Sequence, residues 1–222
     1  MFDINNFCSL EHTMAKNYLL SFRYPWQSLK ELKEFICIAG EDLNKKEYNN
    51  IAKGVWIHRT ATVAKSAQIC PPCIIGAETQ VRHCAYIRGS VLIGKDCVIG
   101  NSTEIKNSIL FDGVQVPHYN YIGDSILGYK AHLGAGAVTS NVKSDKSEVC
   151  LNIDGDIIHT EMKKFGAIIG DESEIGCGSV LNPGTIIGRN TTVYPLVSVR
   201  GTRDSNCIVK SQSVSVIKVR KD

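Results

Sequence analysis

The hydrophobic positions of this chain return at every sixth residue. From Ile57 onward a branched or bulky apolar side chain occupies Ile57, Val63, Ile69, Ile75, Val81, Ile87, Ile93, Ile99, Ile105 and Phe111, and a second series runs through Ile169, Ile175, Leu181, Ile187, Val193 and Val199. Four positions after most of them sits a small residue, such as Ala61, Ala67, Cys73, Ala85 or Cys97, and glycine often follows directly, as at Gly76, Gly94 and Gly176. A period of six matches neither the turn of a helix nor the alternation of a strand. It fits a solenoid in which each hexapeptide supplies one short strand and one turn, with three hexapeptides closing a triangular coil of about 18 residues. The pattern predicts a mainly β chain with the apolar series on a shared axis and with Cys73 and Cys97 acting as compact hydrophobes beside it.

Two segments fall outside the repeat. In residues 1–54, Pro25 opens a stretch where Trp26, Leu29, Leu32, Phe35 and Ile36 approach helical spacing and Gly40 can end the helix. A solenoid has an open end to cover, so this segment is expected to be a helical cap over or beside the first coil. Residues 142–164 interrupt the repeat, and Asp154-Gly155 there separates two strand-like runs, the signal of a hairpin arm. The β-helix is expected over 55–205 and a C-terminal tail over 206–222.

Composition narrows the function classes. The 222 residues carry a net charge of +3, with acidic residues spread among basic ones, so no concentrated face for nucleic acid is expected. No apolar run approaches the roughly 20 residues of a membrane helix. The first residues lack the basic-then-apolar pattern of a signal peptide. Nine cysteines, an odd number, then point to free thiols and a cytoplasmic protein. Cys70-Pro-Pro-Cys73 has zinc-ligand spacing, but no second pair follows, so no metal site is expected.

The repeat changes phase at VPHYNYIGDS, residues 116–125. His118 follows Pro117 there, and histidine is the side chain suited to exchanging protons near neutral pH. Taken alone, a histidine in a turn is more often structural than catalytic. Arg88, Lys106, Tyr121, His132 and Asn141 recur around it at intervals of about a coil or less, enough cations and donors to hold a phosphorylated sugar. The run LGAGAV, residues 133–138, offers close backbone approach and amides suited to a thioester oxygen.

The strings GNSTEIKNS, VPHYNYIGDSILGYKAHLGAG and FGAIIGDESEIGCGSVLNPGTIIG, with Asn141 between the last two, carry a resemblance. Residues 55 to about 203 resemble the left-handed parallel β-helix (hexapeptide-repeat) acyltransferases. More narrowly, they resemble the acetyltransferase half of bifunctional sugar-1-phosphate N-acetyltransferase/uridylyltransferases. That resemblance implies acetyl-CoA as co-substrate, an amino-sugar phosphate (glucosamine-1-phosphate-like) or related amino sugar as acceptor, and a homotrimer. It implies His118 as general base and Arg88, Lys106, Tyr121, His132 and Asn141 as substrate contacts. Lys164 would reach across the trimer interface, and Ala135, Cys177 and Pro195 would line the acetyl-CoA groove. His132 stands where the bacterial family has asparagine and Cys177 where it has serine, and the 54 N-terminal residues are too few for a nucleotidyltransferase domain. Two other readings stand beside this one: a non-catalytic trimeric binding or scaffold protein, and a zinc lyase of the carbonic anhydrase type using His83, His118 and His132.

Overall fold

Short strands of two to five residues stack into three parallel sheets, one for each side of the triangular coil that the repeat predicted, and form the left-handed type of β-helix that the resemblance implied. The structure is a computed structural model that describes residues 3–153 and 155–210 and the backbone strand Ser215–Val216. Asp154 of the hairpin turn and the rest of the expected tail lie outside the described residues. Face I holds Val55–His58, Cys73–Ile75, Val91–Ile93, Ser108–Leu110, Ile126–Leu127, Ala167–Ile169, Thr185–Ile187 and Thr202–Arg203, with Tyr48–Ala52 added antiparallel at one edge. Face II includes Gln115–His118 and His132–Leu133, and face III includes Glu104–Lys106, Tyr121–Gly123 and Val138–Thr139. Parallel pairing continues to Ile208–Val209, past residue 205.

The axis is filled as expected by Ile57, Ile75, Ile87, Ile93, Ile99, Ile105 and their successors, with Cys73 and Cys97 fully buried among them. The series departs from the six-residue count at Phe111. Leu110 pairs with Ile93 and Leu127 pairs with Leu110, so these coils advance by 17 residues, whereas Ile75 to Ile93 advances by 18. Each missing residue is removed at the corner between faces III and I, where Asn107 and Asp124 take the left-handed conformation. The histidine segment keeps its six-residue step, from Val116 to Ile122, both on the axis. Phe111 is therefore not axial; it is buried in a second core.

That second core covers face I. An outward column of Trp56, Ile74, Leu92, Ile109, Ile126, Ile168 and Ile186 runs along this face in register and is buried throughout. Helix α1 (Lys16–Leu20) and helix α2 (Ser28–Glu41) lie against it, inserting Leu19, Leu29, Leu32 and Ile36. The N-terminal segment is thus a cover along one side and not only a cap on the first coil. Gly40 belongs to α2 and does not end it; a side chain there would collide with the indole of Trp56. The far end is fixed by Asp171, which accepts hydrogen bonds from Ser9 N at 2.6 Å and Tyr129 N at 2.7 Å and faces Arg189 at 3.6 Å. Burial pushes the Asp171 carboxyl up, and those partners pull against it.

The insertion forms the hairpin Cys150–Ile153 with Asp156–His159, held in antiparallel register. Its inner face rests on the same second core through Val149 and Leu151. No helix among the described residues is long and apolar enough to cross a membrane.

If face I is a true interior, truncating its outward column should cost as much as truncating the axis. Leu92→Ala and Ile93→Ala are each expected to lower unfolding free energy by about 2–5 kcal/mol in urea denaturation. A Leu92→Ala cost within about 0.5 kcal/mol, the usual value for a surface site, would show that the face is not sealed.

Candidate active site

Face III gathers four of the expected residues. Arg88 and Lys106 occupy successive coils of one outward column, since Arg88 N bonds to Ile105 O and Lys106 is in register with Gly123. Glu104 and Tyr121 are adjacent in the neighbouring column. Arg88 Nη1 donates to Glu104 Oε1 at 2.7 Å, and that carboxylate holds the guanidinium pKa above its usual value. Lys106 Nζ stands 3.5 Å from Asp124 Oδ2, and Asp124 also accepts from Asn107 Nδ2 at 2.8 Å and from Asn141 Nδ2. Asn141 Nδ2 in turn reaches the Tyr121 hydroxyl at 3.3 Å. Burial pushes the Tyr121 phenol up, and the Asp124 charge adds to it. Gly123 leaves the space for this arrangement, because a Cβ there would lie 2.7 Å from Tyr121 Oη and 2.8 Å from Asn141 Nδ2.

The shortened III–I corner explains why these groups meet. Dropping one residue in two successive coils stacks Asn107 on Asp124, and Asn141 joins them from the next coil. Asp124 has 5% side-chain exposure and is the hub of the polar set. Neither it nor Glu104 was singled out from sequence, although Asp124 closes the same Tyr-x-Gly-Asp string that contains Tyr121.

His118 lies at the adjoining II–III corner, exposed, with no hydrogen bond to its ring among the described residues. Its backbone is tightly held. His118 N donates to Asn120 Oδ1 at 3.1 Å, while the buried Asn120 amide donates to Gly134 O at 2.8 Å and Ala137 O at 3.0 Å. Asn120 thereby fastens the histidine turn to the LGAG turn one coil on. The same corner then climbs in register: Gly136 N bonds to His118 O, Gly178 N to Ala135 O, and Leu196 N to Cys177 O. Ala135, Cys177 and Pro195 thus line one edge with His118, and all are exposed. Tyr119 and Leu196 adopt φ of 52° and 61° on this edge, the left-handed turn conformation that Cys84 and Ser102 also take at the same corner of earlier coils. Gly134 permits the close stacking, since a Cβ there would come within 2.8 Å of Cys177 N. Gly134 N–H is held by Ile175 O at 2.7 Å, whereas Ala135 N–H has no partner among the described residues.

His132 does not join this group. It projects from face II, where its Nδ1 meets Glu174 Oε2 at 2.6 Å, in register with Gln115 on the preceding coil. Lys164 is exposed at the root of the hairpin, bridged to Val142, and Phe165 N bonds to Asn141 O at 2.9 Å, so the lysine sits beside the Asn141 strand end of its own chain. His83 and His118 occupy the same corner two coils apart with Asn101 between them, and together with His132 they form no metal-binding group among the described residues. Cys73 turns inward while Cys70 remains at the surface of face III, so the Cys70–Cys73 pair is not a chelate.

Replacing Asn120 with alanine removes the partner of the buried Ala137 carbonyl and of the His118 N–H, while Gly134 O keeps the Ala137 N–H at 3.1 Å. Asn120→Ala is expected to destabilise the protein by at least about 2 kcal/mol in urea unfolding, given about 1–3 kcal/mol for each buried group left unpaired. A midpoint equal to that of the parent would show that the clamp does not hold the turn.

Residues 69–216 match the family model described as the GMPPB C-terminal domain. Among curated proteins, the bifunctional protein GlmU of Methanococcus maripaludis (strain C5) is 32% identical over 190 residues, covering 85% of this chain and 44% of that protein. The bifunctional sugar-1-phosphate nucleotidylyltransferase/acetyltransferase of Sulfurisphaera tokodaii is 29% identical over 183 residues, covering 81% of this chain and 46% of that one. The chain therefore spans less than half the length of these relatives. Among solved structures, the acetyltransferase domain of PglB from Neisseria gonorrhoeae FA1090, in complex with acetyl coenzyme A, aligns over 73% of this chain and 56% of that chain at 21% identity and a TM-score of 0.35. That likeness is too distant to bear on chemistry. The family match extends over most of the β-helix and its two polar corners, and the chain belongs to the family of the GMPPB C-terminal domain.

Proposed function

We propose that the chain is an acetyl-CoA-dependent N-acetyltransferase acting on an amino-sugar phosphate or a related amino sugar, with His118 as general base. The observation that carries this reading is the exposed His118 imidazole and the Ala135 amide, unpartnered among the described residues, at the II–III corner, with the polar set of the adjoining face III running from Tyr121 to Asp124 and Asn141 at the III–I corner. The names of the relatives, which pair sugar-1-phosphate nucleotidyl transfer with acetyl transfer, support the same class.

The chemistry follows from the placement. His118 removes a proton from the sugar ammonium, and the freed amine attacks the thioester carbonyl. A C–N bond forms, the C–S bond then breaks, and the CoA thiolate leaves and takes up a proton. Transfer is direct, so the exposed Cys177 has no covalent part to play. Ala135 N–H is the donor available to the oxyanion, a contact worth roughly 10²–10³ in rate. Positioning falls to face III. The Arg88–Glu104 pair is exposed, and such pairs contribute little, so Arg88 can exchange its carboxylate for a substrate phosphate. Lys106 is more deeply placed and stays with Asp124, balancing a buried charge that would otherwise be costly. Tyr121 and Asn141 then address sugar hydroxyls as hydrogen-bonding partners. Faces II and III are open in the single chain, and a second copy packed against them would close the cleft; the resemblance implies a homotrimer.

Release of free thiol from acetyl-CoA, assayed across amino-sugar phosphates and amino sugars, tests the reaction. His118→Ala is expected to lower turnover by about 10²–10⁴-fold while the thermal shift with acetyl-CoA is retained. Unchanged turnover removes His118 as the base, and no shift with any acyl-CoA favours a scaffold. The thiols offer a second check. Burial pushes Cys97 up to about 12 and raises Cys73 as well, so neither should alkylate in the native protein. Cys177 should alkylate readily and be protected by acetyl-CoA; equal labelling with and without it would take Cys177 out of the cofactor groove.

A further inference from the structure

The inserted hairpin carries a cluster that acetyl transfer does not use. Its inner face, through Val149 and Leu151, is buried against the body of the protein, where Gly184 lacks a side chain that would meet both. Its outer face holds Cys150 directly opposite His159. Cys150 Sγ and His159 Nδ1 are 3.7 Å apart, and His159 Nδ1 is 3.7 Å from Glu148 Oε2. Ligand atoms of all three residues fall within 4.8 Å of one another, the single such grouping of metal-capable side chains among the described residues.

Those separations have a meaning in coordination geometry. In a tetrahedral site with arms of about 2.0–2.3 Å, neighbouring donor atoms lie about 3.3–3.8 Å apart. Two edges of the Glu148–Cys150–His159 triangle already have that length, and the third needs a shift that exposed side chains can make. The donor set is one sulfur, one imidazole nitrogen and one carboxylate oxygen. This combination suits a zinc-class ion and is wrong for calcium or magnesium, which take oxygen ligands. Glu148 is also oriented for the task, because its other oxygen, Oε1, accepts the Glu161 N–H at 2.5 Å and leaves Oε2 directed at the pair. Such outer contacts fix the ligands of metal sites.

We propose that Glu148, Cys150 and His159 form a binding site for a zinc-class transition-metal ion that clips the two strands of the hairpin together, with water in the fourth position. On binding, the Cys150 thiol releases its proton to solvent and the thiolate bonds to the ion. A two-stranded hairpin is marginal by itself, so an ion bridging its strands stabilises an element that the β-helix supports from one side only. The sequence alone gave no hint of it, because the spacing Glu-x-Cys followed nine residues later by His fits no chelating motif until the turn brings Cys150 and His159 face to face.

The test uses the full chain, purified without a polyhistidine tag, stripped by chelator and kept reduced. Titration with cobalt(II) is expected to give a thiolate-to-cobalt charge-transfer band saturating at one equivalent, and zinc should displace the cobalt and abolish the band. Cys150→Ser should remove the band, and His159→Ala should weaken binding at least tenfold, the lower end of losses seen for disturbed metal sites. Cys177→Ser should leave the band unchanged. Because Cys150 and His159 are exposed, these variants should keep the parent circular dichroism spectrum, which excludes misfolding as the cause. No band with the parent protein, or a band that survives Cys150→Ser, would overturn the proposal.

Discussion

Each coil must place one apolar side chain from every face on a common axis, and the molecule is arranged around that requirement. The coil interior has room for one branched residue and one small one per hexapeptide, which is why alanine, serine, threonine and cysteine recur beside the isoleucines. Close packing makes the count strict, since an interior tolerates neither voids nor added atoms without cost. A missing residue therefore cannot be absorbed inside the coil. It appears at a corner, and the two deletions beside the candidate site, at Asn107 and Asp124, both fall between faces III and I. The polar hub at Asp124 is a product of that constraint: shortening the corner brings Asn107, Asp124 and Asn141 into one hydrogen-bonded column.

The three faces then divide the remaining work. Face I is apolar on both sides and is sealed by α1, α2, the preceding N-terminal turns and the base of the hairpin. This turns one side of a two-dimensional repeat into a second hydrophobic core and leaves faces II and III free. The asymmetry leaves the outward side chains of faces II and III, among them Arg88 and His132, uncovered by the N-terminal segment. The Asp171–Arg189 contacts fix the N-terminal residues at the end of face I opposite to that met by Gly40 and Trp56.

Charge in the candidate site is balanced, with two cations facing two carboxylates. The balance differs in depth, and depth decides which pair can open. An exposed guanidinium can trade one anion for another at little cost, whereas a lysine beside a buried aspartate cannot leave without stranding a charge. The backbone around His118 is fixed more firmly than its ring. Asn120 ties the turn to the following coil, and the imidazole itself is exposed, with no hydrogen bond to its ring among the described residues.

The six-residue period by itself settled the β-helix and the inward place of Cys73 and Cys97, while helical spacing from Trp26 and the Asp-Gly signal outside the repeat marked a helix and a hairpin, because each is a local pattern with one satisfactory packing. It also assigned Arg88, Lys106, Tyr121 and Asn141 to neighbouring coils, since equal spacing along a solenoid means proximity across it. What a fixed count could not reveal was where the count fails: it carried Phe111 onto the axis, when Leu110 takes that place. It also could not show that His132 looks out from a different face. The apolar column on face I was visible as the middle residue of runs such as CII, VLI and AII. Its partner, however, lies far away in sequence, and only folding brings α2 onto it. The same holds for the Arg88–Glu104 pair, the Asn120 clamp and the Cys150–His159 juxtaposition, all of which depend on hydrogen-bond register between strands, a quantity set by tertiary packing and not written in any one stretch of residues.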